Sequence, residues 1–391
     1  MNNVTTTQWG AVWFSFAAGV AGAITVTKAS PALIEIQKEI SLSLVQIGWI
    51  MSSAAVATIL LGIYAGSLSR RYGAQRILQL ALALIIFSAS FSLFISSPSE
   101  LIASRLIEGI AVILIAVSAP TLISHLSKPS DMGLTMGVWA LWMPVGSVLA
   151  FLLAPLVLEL LGWRWLWACS AVVAIPLLLF SLHIKDPARA SLSASITKTS
   201  SSVIHRAIVL GLIFTCFTAT FFSLITYLPT YLINHYQLST ANAVLVTTLL
   251  PAFIIPGNLL AGLLIHRGLS PYHLISYPAT ALAILISAVF YLNYPAETGL
   301  LLLALFGLFL GMIPTAIFAQ SPRMADKPSD IGRIMGIVIT GQGPGILFAP
   351  PLAAFIIGEQ QHWQNLYPFY LALATGIIIL IRYLKRLQTR H

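Results

Sequence analysis

Long apolar runs separated by short polar breaks fill almost the whole chain. Twelve of them fall near 9–31, 44–68, 75–96, 100–124, 132–158, 163–184, 207–231, 241–265, 272–292, 297–320, 332–357 and 363–384. Each is close to the roughly 20 residues that a helix needs to cross about 30 Å of hydrocarbon. A segment surrounded by lipid must satisfy its own backbone hydrogen bonds, so the runs are predicted as helices. They are too long, and alternate too little, to be strands of a membrane barrel. The pattern predicts an all-α membrane protein.

The pattern also repeats. Lys128-Pro129-Ser130-Asp131 returns as Lys327-Pro328-Ser329-Asp330, an offset of 199 residues in a chain of 391. Gly146 and Ala150 have counterparts in Gly345 and Ala349 at the same offset. A repeat of half a chain fixes architecture before any other signal. It predicts two pseudo-symmetric six-helix bundles, at 1–184 and 207–391. The stretch 185–206, basic and rich in Ser and Thr, reads as a cytoplasmic linker between them. In membranes, parallel repeats of this kind place a substrate path between the halves.

Composition narrows the class further. Hydrophobic residues make up 58% of the chain and charged residues 8%, far from the quarter or so expected of a soluble domain. The net charge of +9 raises nucleic acid as a partner, but its distribution removes it. Sixteen Lys and Arg, from Arg70 to Arg390, lie in one set of loops; the opposite set holds only Lys38 and Arg164. That asymmetry predicts both termini on the cytoplasmic side of a plasma membrane, the inner membrane of a bacterium. The basic balance is thus a topology signal, and no nucleic-acid partner is expected. The first run lacks the flanks of a cleaved leader and is read as retained. Cys169 and Cys216 fall in apolar runs without metal-like spacing and read as small buried hydrophobes. No metal site and no cofactor is expected.

The loop after the second run reads Gly66-Ser67-Leu68-Ser69-Arg70-Arg71-Tyr72-Gly73-Ala74-Gln75-Arg76. The fourth run carries Arg105-Leu106-Ile107-Glu108-Gly109, and the sixth is preceded by Gly162-Trp163-Arg164-Trp165. With twelve spans and a half-chain repeat, these motifs resemble the major facilitator superfamily along essentially the full length. The resemblance implies the major facilitator fold and alternating access. It also implies a role in proton coupling for the Arg at position 105. Two departures matter. The acid that the family's loop carries is replaced by Arg70. The glycine-proline signature of family antiporters is incomplete in the fifth run, where Phe151 follows Ala150.

Asp131 and Asp330 stand at the starts of the fifth and eleventh runs, where a carboxylate caps free backbone N–H groups. Two readings stay open: Arg70 or Arg71 meets Asp330 as a cytoplasmic gate latch, with Gly66, Gly73 and Asp131 part of the gate, or these are caps and solvated charges.

Well inside the runs lie Lys28, Arg105 and Glu108. An ionisable group at such depth costs about 2.5 kcal/mol or more, so it must face protein or water. Arg105 and Glu108 are three residues apart, on one helix face and within reach of each other. Either they form a permanent anchoring pair, or a solute competing for Arg105 frees Glu108 to take a proton. Lys28 either snorkels to the headgroups or faces the cavity. The three together leave one positive charge, which favours an anionic or zwitterionic solute. Tyr64, Trp139, Trp142, Tyr227, Asn258, Gln320 and Gln342 are candidate cavity-lining residues, with helix–helix bonding the alternative for the amides.

The expected function is secondary active transport of a small polar organic solute coupled to protons, by a monomer in the lipid bilayer. A proton-driven exporter of drugs or metabolites is the alternative. An intramembrane enzyme or a receptor is the reading from another class. No catalytic constellation and no nucleotide-binding loop occurs in the sequence, so no catalytic residue is assigned.

Overall fold

The computed structural model of the chain describes residues 6–40, 42–128, 131–184, 200–291, 296–326 and 331–389. The chain divides into two compact units, Met1–Leu42 with Ser53–Ser195, and Ser43–Ser52 with Ile196–His391. Unit 1 holds α1 (Trp9–Thr27) and α2 (Ala29–Glu39). The long α3 (Leu44–Tyr72) is shared, its first turns belonging with unit 2. Unit 1 continues with α4 (Ala74–Phe91), α5 (Pro98–Leu126), α6 (Met132–Ala140), α7 (Trp142–Leu161) and α8 (Trp163–Ser181). Unit 2 holds α9 (Ser201–Tyr236), α10 (Thr240–Thr247), α11 (Leu249–His266) and α12 (Pro271–Tyr291). It ends with α13 (Ala296–Arg323), α14 (Ile331–Thr340), α15 (Gln342–Ile357) and α16 (Leu366–Thr389). Among the described residues eleven segments are long and apolar enough to cross a bilayer, and Pro271–Ile286 is a shorter apolar helix at the ninth predicted position.

Two boundaries differ from the sequence reading in ways that bear on the site. The first apolar segment runs on from Trp9 to Gln37, past Pro31, because α2 follows α1 with a one-residue break at Lys28. The seventh starts at Ser201, so the end of the predicted linker is helical. Arg206, counted as a loop charge, is buried there and donates to Asp326 Oδ1 at 3.1 Å.

Glycines set the helix spacing, and they do so alike in the two repeats. α7 packs on α1 and α15 on α9. A Cβ at Gly146 would stand 2.7 Å from the carbonyl oxygen of Val20; one at Gly345 would stand 2.7 Å from the amide of Ala219. In the same repeats Gly137 and Gly336 have nothing within 4 Å. Small residues thus let these backbones approach closely in both units.

At the end of unit 1 where α2 stops, Glu39 is gripped from α8. Trp163 Nε1 donates to Glu39 Oε2 at 2.7 Å, and Arg164 pairs with the same carboxylate at 2.8 Å. Arg164 also donates twice to the Ile95 carbonyl and stacks 4.4 Å from the Trp163 ring centroid. The indole donor, and after it the guanidinium, hold the Glu39 carboxyl below the ordinary glutamate range.

Two outcomes follow. Gly146→Ala and Gly345→Ala overpack their contacts and destabilise by about 1–3 kcal/mol. Gly137→Ala and Gly336→Ala keep or raise stability, because alanine is the better helix former. Thermal unfolding in detergent reads both pairs; equal effects at all four positions would refute the packing account. Secondly, a depressed carboxyl stabilises above its ordinary pKa, and that contribution disappears as pH falls through the folded value. Glu39→Gln therefore lowers the melting temperature at neutral pH, and the difference fades only in acid below the depressed folded value. A difference that persists in acid would exclude the charge as its cause.

Candidate functional site: a buried charge cluster in unit 1

The site begins with the break in the first span. Pro31 has no N–H to give the carbonyl four residues back and crowds it with its ring. Upstream, Thr25 Oγ1 and Thr27 Oγ1 donate to the Ala21 and Ala23 carbonyls at 2.8 and 2.7 Å, a back-bonding that bends helices. The helix gives way at Lys28, the single residue between α1 and α2. Such a break leaves carbonyls that must find donors inside a membrane protein.

Arg105 supplies them. Its Nη1 donates to the Thr25 carbonyl at 2.8 Å and its Nη2 to the Val26 carbonyl at 2.9 Å. The register of α5 puts it there. Ser97 caps this helix in a capping box with Glu100, with Pro98 in the first turn. From that fixed start Arg105 and Glu108 fall one turn apart on the face that packs on α1.

Glu108 lies between two cations. Its Oε2 accepts from Arg105 Nη1, and its Oε1 is 2.8 Å from Lys28 Nζ. Lys28 Nζ also donates to Ser170 Oγ at 2.8 Å and lies 5.1 Å from the Trp167 ring centroid. Lys28, Arg105 and Trp167 are 0% exposed and Glu108 1%. The cluster therefore carries one uncompensated positive charge. Two of its donors, Arg105 Nε and Trp167 Nε1, have no acceptor among the described residues.

Lys28 is fully buried, between Glu108 of α5 and Ser170 of α8. The apolar segment continues past this lysine to Gln37. The sequence reading missed Ser170 and Trp167. Trp167 is fully buried one turn inside α8, edge-on to Trp163 at 5.6 Å. The signal that finds both is the spacing Trp163, Trp167, Ser170, one face of one helix. The two carbonyls of α1 leave no trace in the sequence except Pro31.

The other predicted residues are distributed over both units. Trp139 and Trp142 stack at 5.2 Å with an interplanar angle of 12° and lie against Gly19, where a Cβ would meet the Trp139 ring at 2.6 Å. Tyr64 on α3 is two-thirds exposed. In unit 2, Tyr227 Oη donates to the Pro350 carbonyl at 3.2 Å and the Leu44 carbonyl at 3.3 Å. Asn258 Oδ1 accepts from Thr315 Oγ1 at 2.8 Å, and Gln320 Nε2 donates to Tyr272 Oη at 3.1 Å. Gln342 opens α15, and its carbonyl accepts from Thr218 Oγ1 at 3.1 Å. An apolar cavity of about 60 Å³ in unit 2, lined by Leu224, Leu228, Tyr231 and Phe306 among others, has no charged side chain in its lining.

For the predicted gate, Gly66, Arg70 and Arg71 lie on α3 and Gly73 precedes α4 with φ at 91°. The Arg70 and Arg71 side chains and Asp330 lie outside the described residues, so the latch does too. Asp131 stands before α6 but makes no cap bond to it; it accepts from Thr7 Oγ1 at 2.6 Å.

A model of the Major Facilitator Superfamily matches residues 12–327. The D-xylose transporter of Levilactobacillus brevis is 29% identical over 161 residues, 41% of this chain and 35% of that protein. The nitrite extrusion protein of Bacillus subtilis (strain 168) is 24% identical over 263 residues, 66% of this chain and 65% of the other. The chain thus spans about a third of the length of the first relative and 65% of the second. A crystal structure of a D-xylose-proton symporter superposes with a TM-score of 0.82 at 16% identity, covering 97% of each chain. Its fold is the fold seen here. With the family model covering residues 12–327 and the helices arranged in two like units, the chain belongs to the Major Facilitator Superfamily.

Proposed function

We propose that the chain is a proton-coupled secondary active transporter of a small polar organic solute, anionic or zwitterionic. In this reading the halves 1–184 and 207–391, joined by the linker 185–206, alternate access to a central site. The protein works as a monomer with both termini on the cytoplasmic face of the inner membrane. The observation that carries the reading is the fully buried cluster of Lys28, Arg105 and Glu108, with one excess positive charge. An unpaired buried charge is costly, and a structural ion pair has no need of the third member. Arg105 Nε and Trp167 Nε1 offer two further donors, which suit a ligand rich in acceptors.

The relatives support transport and leave the solute open, since one is named for a neutral sugar and the other for an inorganic anion. The substrate class therefore rests on the charge of the site. Export is the second reading, favoured by the name of the Bacillus subtilis relative.

Purified protein in proteoliposomes, under an imposed pH gradient, tests this. Carboxylate solutes are expected to accumulate, and amines of the same size are not. Lys28→Gln lowers accumulation by about tenfold or more, the worth of one charge-assisted hydrogen bond of about 1.5–3 kcal/mol. Transport of amines in preference to carboxylates would overturn the substrate class. Solute movement indifferent to the gradient would overturn the coupling.

A further inference from the structure

Resting on that transport reading, we propose that Lys28 carries the exchanged proton, while Glu108 stays charged throughout. The charge inventory leads there. A guanidinium does not deprotonate in proteins, so Arg105 is a fixed cation. Glu108 offers one carboxylate oxygen to Arg105 and the other to Lys28, and a proton added there would raise the charge of the cluster instead of cancelling it. Of the three groups, only the lysine can remove the excess positive charge.

The surroundings of Lys28 fit a group that changes state. The titratable groups acting on it are Glu108 and Arg105 from α5 and Cys169 from α8. Ser170 Oγ, 2.8 Å from Nζ, accepts a hydrogen bond from an ammonium and donates one to a neutral amine. The contact therefore survives in either form. The step balances simply: one N–H bond of the ammonium breaks, its electron pair stays on nitrogen, and the proton passes to a water molecule admitted when the transport cycle opens the site. The two α1 carbonyls are held by Arg105 and are untouched by this change. What weakens is the tie from the break at Lys28 to Glu108. Proton release thus loosens the residue between α1 and α2 without disturbing the anchor that Arg105 provides.

Trp167 is a built-in reporter, its ring centroid 5.1 Å from Nζ. The emission difference between the unsubstituted protein and Trp167→Phe, followed in detergent without substrate over about pH 5 to 10, reads the charge on Lys28. A single titration is expected in the unsubstituted protein. It is lost in both Lys28→Gln and Lys28→Arg, the second of which keeps the cation and the ion pair. It persists in Glu108→Gln. A titration lost in Glu108→Gln but kept in Lys28→Gln and Lys28→Arg would overturn the proposal in favour of the carboxyl. A flat curve in the unsubstituted protein would overturn it outright, with no bearing on transport. Failure of gradient-driven transport beside an intact Lys28 titration would instead sink the transport reading alone.

Discussion

A carboxylate held between two cations, with water excluded, is the constraint on which the rest of unit 1 depends. Glu108 bridges Lys28 and Arg105, and each of the three is fully or almost fully buried. Remove the carboxylate, and two like charges face each other in a medium where an isolated ion costs several kcal/mol. Arg105 in turn closes the backbone of the broken first span by taking two of its carbonyls. The break, the register of α5 and the placement of Ser170 on α8 are parts of one arrangement.

The two units share a scaffold but not this chemistry. Their glycines bring equivalent helices together at equivalent places, Gly146 in one and Gly345 in the other. At the same offset of 199 residues, however, Lys28 corresponds to Tyr227, Arg105 to Ala304 and Glu108 to Gly307. Where unit 1 breaks its first span at a lysine, α9 runs unbroken past Tyr227 and Pro229. The duplication therefore supplies the shape twice, and the ionisable cluster belongs to one copy.

Spans, the repeat and the close-packing glycines were legible because they are periodic or recur at a fixed offset. So was the Arg105–Glu108 pair, which helix spacing alone brings together. The full burial of Lys28 was not legible. Pro31 and the polar residues after it look like the end of a span, while the backbone resumes as α2 and continues to Glu39. The carbonyls that bind Arg105 carry no side-chain signal at all. Trp167 was missed because an aromatic near a span end is the mark of an interface, and only packing shows that this ring is buried. Asp131 taught a similar lesson: it occupies a capping position, yet its carboxylate receives Thr7 from a distant part of the chain.

The most direct test of the central role of Glu108 compares the melting temperatures of Lys28→Met, Glu108→Met and the double variant. Glu108→Met leaves two buried cations, whereas Lys28→Met leaves a neutral pair. The account predicts that Glu108→Met is the least stable of the three and that adding Lys28→Met to it restores stability. A double variant less stable than Glu108→Met would contradict the account.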